Sequence, residues 1–377
     1  MNKEVSKSTR QSNIEFLRIV GMLMIVYHHL VVHGVMNYLD QTNHFKVFEQ
    51  GTLINKIFSC FFFPGGEIGV GIFFIITGYF CATRNSLNPL RIITKVSFYG
   101  AFFAILSVIY MLFCGLRGGA KILFLSVRTF FFPISTGLYW FVTVYVIIIL
   151  LIPLINPLYM KLNQKGWIIL LLFMYFGWFL LGSLGETYFS LQKGLLFYSI
   201  GAFFHLIVSK KDNMNRIRKY RIFFLLSFIV FWLLESFIAY WIAFYGIAEQ
   251  SQINQIVFRV LKTCETAFSP FCSSFLFIFF ILLDLGSKKA INTVASTTFG
   301  VYLIHDSDLL RELLWHKLFM VDTKLYFLTS FPFLLLLIPI VVFSFCSCID
   351  YFVQKITAHL NIHSVYNRIV SSLFLHI

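Results

Sequence analysis

Nine ionisable residues of this chain stand within apolar runs: Arg18, His28, His29, His205, Glu235, His305, Asp306, Asp308 and Arg311. At lipid depth such a group costs roughly 2.5–3.5 kcal/mol on insertion scales, so each one is a candidate for function. Arg18, His28 and His29 share a single run, NIEFLRIVGMLMIVYHHL, with ten residues between Arg18 and His29. Eleven positions advance a helix by about 1100°, within roughly 20° of three full turns, and by about 16 Å along its axis. Arg18 and His29 therefore share a face, and His28 lies about 80° away from it. The two ends of that face suit different chemistry. A guanidinium pairs with phosphate or another anion through its planar fork. An imidazole that titrates near neutrality can take the proton from a weak nucleophile such as a hydroxyl.

A second run, STTFGVYLIHDSDLL, brings His305 to about the depth expected for His29, and Glu235 reaches a similar depth in a third. Two imidazoles at one depth point to a single polar site inside a bundle of helices. Such groups can also simply satisfy one another between helices, and for Glu235 and His205 that reading stands first. Glu67 sits at a helix end. No HExxH, CxxC pair or carboxylate ladder calls for a metal, so none is expected. The Cys346/Cys348 pair has no second pair to complete a zinc site.

The elements that hold these residues must be membrane helices. Hydrophobic residues make up 59% of the 377 residues and charged residues 12%, whereas soluble domains are about 25% charged. The 48 phenylalanines fit a bilayer setting. Apolar runs at 14–32, 68–82, 92–116, 138–159, 167–184, 191–208, 222–245, 268–284, 295–314 and 326–352 read as about ten spans. A further stretch, 53–63, reads as a re-entrant or interfacial piece. The last run carries Pro332 and Pro339 and is expected to tilt or kink there. The expected fold is all-α, a polytopic transmembrane helical bundle forming one domain over 1–377. Its core covers about 12–353 and a short cytoplasmic tail 354–377. No cleavable signal peptide or internal repeat is evident.

The net charge of +14 does not point to nucleic acid, because the cations are spread over short loops rather than gathered on one face. One set of loops, with Lys3, Lys7 and Arg10 before it and Lys210, Lys211, Arg216, Arg218, Lys219 and Arg221 in one cluster, is richer in Lys and Arg than the other. The positive-inside rule then puts both termini in the cytoplasm. The expected location is the cell membrane, with the bilayer as the first partner.

Three segments carry a resemblance. FLRIVGMLMIVYHHL is similar to the first-helix pattern of the acyltransferase-3 family, an Arg and a His with ten residues between. GVGIFFIITGYF resembles that family's GVxxFFxxSGY segment, and TFGVYLIHD its late-helix GxYLxH segment. The run LYWFVTVYVIIILLIPLINPL is a weaker match to its WF…P segment. Thr77 stands where many members have Ser, and Gly71 where many have an acid. The family's RxxS after the second helix is only approximated, at Arg84 and Arg91.

The resemblance covers essentially the whole chain and implies an integral-membrane O-acetyltransferase of the stand-alone type. It implies acetyl-coenzyme A as the donor and a glycan or lipid-linked saccharide as the acceptor. On that reading His29 is the general base or acyl carrier, and Arg18 serves the donor. His305 and Tyr302 bind or polarise the acyl carbonyl. Glu67 and Glu235 are candidates for substrate binding, and Arg84 and Arg91 for a cytoplasmic anion site. The rival from another class is a transporter or flippase, in which the same Arg and His would line a substrate or proton path.

Overall fold

Hydrocarbon offers no partner for backbone N–H and C=O groups, so runs this apolar close on themselves as helices. The computed structural model describes residues 11–36, 45–114, 119–135, 137–181, 186–208, 211–247 and 252–359. Lys3, Lys7, Arg10, Lys210 and the tail beyond 359 lie outside them. Among the described residues every regular element is helical.

Helix α1 (Ser12–His29) continues into a π-helical turn, Leu30–Val35. Helices α2 (Lys46–Gln50) and α3 (Leu53–Phe62) follow; α3 is amphipathic and exposes Leu53, Ile54 and Ile57. The chain then forms α4 (Gly65–Cys81), α5 (Leu90–Cys114), α6 (Gly119–Phe131), α7 (Trp140–Tyr159), α8 (Gln164–Leu181) and α9 (Glu186–Val208). After α10 (Lys211–Arg218) come α11 (Arg221–Ile247), α12 (Gln252–Ile281) and α13 (Lys289–His305). A short α14 (Asp308–Arg311) runs into a second π-helical segment, Glu312–Leu318, and α15 (Phe331–His359) ends the bundle.

Seven stretches are long and apolar enough to cross a membrane: Ser12–Val35, Leu53–Cys81, Leu90–Phe113, Trp140–Tyr159, Ser190–Val208, Arg221–Tyr245 and Phe331–His359. They coincide with seven of the ten expected spans. The runs at 167–184 and 268–284 coincide with shorter apolar helices, Gln164–Gly177 and Ala267–Ile281. The run at 295–314 is not one helix but two, α13 and α14, divided at Asp306 and Ser307. Pro332 falls in the first turn of α15, where a missing N–H goes unnoticed, and Pro339 lies within it.

Helices α1 and α4 form the centre: α1 packs on α4, α13, α15 and α12, and α4 also packs on α9 and α12. Lipid tails are as apolar as leucine, so close fit rather than apolar burial drives helix pairing here. Two glycines make that fit possible. A Cβ on Gly69 would run into the Gly21 carbonyl of α1, and one on Gly78 into the Tyr198 carbonyl of α9. A Cβ on Gly71 would meet the Phe197 ring and Ser273 Oγ.

One buried ion pair ties the bundle together away from the histidines. Asp350 of α15 is fully buried. Its carboxylate accepts from Lys95 Nζ at 2.9 Å, Tyr99 Oη at 2.7 Å and Gln354 Nε2 at 2.6 Å. Every oxygen is satisfied, which is what a buried carboxylate needs. Breaking such a pair on one side costs about 3–5 kcal/mol, because the remaining charge is stranded. Lys95→Met should therefore lower the thermal midpoint of the detergent-solubilised protein well below that of wild type. An unchanged midpoint would show that the pair carries no stability.

Candidate functional site

Two helix irregularities build the site. The first is the π-helical turn that begins just after His29, a feature that recurs at functional positions. It carries His33. His33 Nε2 lies 3.7 Å from Asp306 Oδ1, and His29 Nδ1 lies 3.6 Å from the same oxygen. The rings of His29 and His33 are 5.1 Å apart.

The second irregularity is the break between α13 and α14. A helix end inside a membrane needs partners for its last carbonyls, and most of them find one. Val301 O faces His305 Nδ1 at 2.6 Å. Tyr302 O accepts from Asp306 N at 3.2 Å, and Leu303 O from the Tyr139 hydroxyl at 2.8 Å. Ile304 O accepts from Ser307 Oγ at 2.9 Å, and Asp306 O from Arg311 Nη2 at 3.1 Å. Ser307 then caps α14 by accepting from Leu310 N at 3.3 Å. The break frees His305 and Asp306 to face α1 from the end of their helix.

The two histidines that the sequence placed at one depth touch. His29 Nδ1 is 2.9 Å from His305 Nε2. His305 is fully buried. Arg311 Nη2 sits 2.8 Å from Asp306 Oδ1 and holds the carboxylate from the far side. His29, His33 and Asp306 thus bring three metal-ligand-type atoms within 4.8 Å of one another, a cluster that no sequence motif announced because it draws on two helices. The Arg311 guanidinium sits on the same carboxylate oxygen and would oppose a second cation there.

His28 points elsewhere. Its Nδ1 contacts the Phe63 carbonyl, and a Cβ on Gly66 would fall on its ring. Beyond it, Glu67 makes a bidentate contact with Lys193 at 2.6 and 2.7 Å. Lys193 is 4% exposed and lies 4.9 Å from the centre of the Trp140 ring. Glu67 therefore belongs to the rim of the histidine cluster, next to His28. Nothing in the local sequence pattern marks Lys193 as buried.

Tyr302 lies one turn before His305, its ring 6.4 Å from the imidazole. Phe141 and Tyr139 pack edge-on against it at 5.7 and 5.6 Å. Tyr302 is 5% exposed, and its hydroxyl has no hydrogen-bond partner among the described residues. An orphaned phenol in so dry a setting is costly unless something else uses it.

Arg18 lies at the other end of α1. Its Nε is buried without a hydrogen-bond partner among the described residues, 4.0 Å from Glu15 Oε2. Arg18 and Arg84 are both within electrostatic reach of Cys81, and Arg18 also of Tyr145. Asn156 of α7 fixes the Arg84 turn, donating to Cys81 O at 2.6 Å and to Arg84 O at 2.8 Å. Arg91 is exposed at the start of α5 and lies nearer Lys95. Glu235 is fully buried and in hydrogen-bonding contact with Cys272 of α12. His205 packs edge-on against Tyr79 at 5.3 Å. The structure thus gathers His29, His305 and Tyr302 with Asp306, His33 and Arg311. Arg18 and Arg84, both within electrostatic reach of Cys81, mark a second locus, while Glu235 contacts Cys272 and His205 contacts Tyr79.

Comparison with known proteins adds one finding. The acyltransferase-domain model of the acyltransferase-3 family matches residues 11–352. That range holds both loci. No curated relative and no solved structure matches the chain.

Proposed function

The chain belongs to the acyltransferase-3 family, and on that premise we propose that it is a membrane-embedded O-acetyltransferase. It moves an acetyl group from cytoplasmic acetyl-coenzyme A to a hydroxyl of a cell-surface glycan, capsular or exopolysaccharide, or of its lipid-linked precursor. The observation that carries the reading is the part-buried contact of His29 with His305, one turn from a Tyr302 hydroxyl that has no hydrogen-bond partner among the described residues.

The steps balance on these groups. His29 takes the acceptor's hydroxyl proton as the oxygen attacks the acetyl carbonyl carbon. Negative charge gathers on the carbonyl oxygen, where a donor such as the Tyr302 hydroxyl is worth most in a dry site. The carbon–sulfur bond then breaks, and the leaving thiolate takes the proton from His29. Ester and thiol are the products, with no net proton change.

Arg18, about 16 Å from His29 along α1, and Arg84, which like Arg18 lies within electrostatic reach of Cys81, suit the polyanionic part of the donor. With both termini cytoplasmic, as the loop cations indicate, that locus opens to the compartment that holds the donor. Charge-assisted hydrogen bonds are worth about 1.5–3 kcal/mol. Arg18→Ala should accordingly raise the donor KM by roughly 10- to 100-fold with kcat little changed. Arg18→Lys should recover only part of this, because the planar fork is lost. An unchanged donor KM in a well-folded Arg18→Ala protein would remove Arg18 from the donor site.

Mass spectrometry of the surface glycan from cells with and without the gene tests the function itself. Ester-linked acetyl groups should disappear with the gene. Unchanged acetylation alongside a loss of surface glycan would favour a transporter.

A further inference from the structure

We infer that His305 is a positioning residue that fixes the tautomer of His29, so that Nε2 of His29 is the nitrogen that accepts the proton. The inference rests on the reading of His29 as a base and names the atom that reading left open. It follows from which partners can only accept. His305 Nδ1 lies 2.6 Å from the Val301 carbonyl oxygen. A carbonyl oxygen cannot donate, so the ring hydrogen of His305 is on Nδ1. A neutral imidazole has one such hydrogen, which leaves Nε2 of His305 as an acceptor.

That acceptor is 2.9 Å from His29 Nδ1. The hydrogen of His29 must then be on Nδ1. A second observation agrees: the other group facing His29 Nδ1 is Asp306 Oδ1 at 3.6 Å, a carboxylate oxygen that also only accepts. The lone pair of His29 is therefore on Nε2. When Nε2 takes a proton, Nδ1 keeps its acceptor in His305 and its carboxylate in Asp306, and the ring does not turn.

The same accounting limits His305. Both of its ring nitrogens are engaged, one by Val301 and one by His29, and neither is left for an acyl carbonyl. The part that the family resemblance gave to His305 and Tyr302 together falls to the unpartnered Tyr302 hydroxyl. His33 and Arg311 act one step further out, holding Asp306 Oδ1 in place from 3.7 and 2.8 Å.

Nitrogen NMR of the full-length protein, labelled with 15N-histidine and held in lipid nanodiscs at neutral pH, reads the tautomer without substrate. The signals of His29 are assigned by their loss in His29→Gln. The expected result is a protonated Nδ1 and a bare Nε2. In His305→Phe the hydrogen-bonded acceptor is gone and Asp306 Oδ1, at 3.6 Å, is beyond hydrogen-bond reach, so the fixed tautomer should be lost and kcat should fall by about 10²–10⁴-fold, the range for a base left in the wrong protonation form. Donor KM should hardly move. In His305→Gln the amide oxygen can still accept from Nδ1, so tautomer and much of the rate should return. A wild-type His29 protonated on Nε2 would overturn the inference, as would an unchanged tautomer in His305→Phe. Because the tautomer is read without turnover, failure of acetyl transfer would refute the proposed function and leave this result standing.

Discussion

His29→Ala should lower acyl transfer by about 10²–10⁴-fold, the usual worth of a positioned general base, while His28→Ala should retain most of the activity. Adjacent residues on a helix point about 100° apart, and the structure gives the two rings separate surroundings. His29 faces His305, Asp306 and His33. His28 faces the Phe63 carbonyl and the tight approach of Gly66. Loss of His28 should therefore appear as reduced thermal stability, and loss of His29 as reduced kcat with donor binding intact. If His29 carries the acyl group covalently, the loss exceeds that range and an acetylated His29 peptide is recovered after brief exposure to donor. The comparison requires equal expression and membrane insertion of both variants. Near-normal turnover by His29→Ala, or a larger kcat defect in His28→Ala, would remove the base from this position.

Tyr302→Phe should cost about 10²–10³-fold in kcat, the typical effect of removing one donor to a developing oxyanion. The substitution is unusually clean. The hydroxyl bonds to nothing among the described residues, so its removal strands none of them, and the ring keeps its contacts with Phe141 and Tyr139. The thermal midpoint should stay level or rise slightly. A donor that acts only in the transition state changes kcat and kcat/KM equally. A kcat equal to wild type would show that the carbonyl is held by some other group.

Much of this was legible in the sequence because it depends on period and hydropathy alone. The shared face of Arg18 and His29, the separate direction of His28 and the common depth of His29 and His305 all follow from 3.6 residues per turn and a 1.5 Å rise. The helical fold follows from composition. What the sequence could not convey is which helices are neighbours. Glu235 stands at the right depth for the imidazoles, yet α11 packs on α12 and leaves it beside Cys272. Arg91 was expected in a loop, yet it lies exposed in the first turn of α5.

Asp306 and Arg311 were visible as charges in an apolar run, but their part depends on the break at Asp306 and Ser307. A hydropathy window averages across that break. Ser307 followed by Asp308 is a capping signal, and with hindsight it marks where the second helix starts. His33 was within reach of the same reasoning, four residues beyond His29 and so close to its face. The Lys95–Asp350 pair joins two spans that are distant in sequence, and no local pattern couples them.

The central claim, that this bundle transfers an acyl group by way of His29, is tested most directly with purified protein in lipid nanodiscs, acetyl-labelled coenzyme A and an extracted surface glycan. Wild-type protein should release free thiol and place label on the glycan in equal amounts. His29→Ala should bind the donor and do neither. Labelled glycan formed equally by His29→Ala, or no label transferred by wild-type protein that moves glycan across a sealed vesicle, would contradict the account.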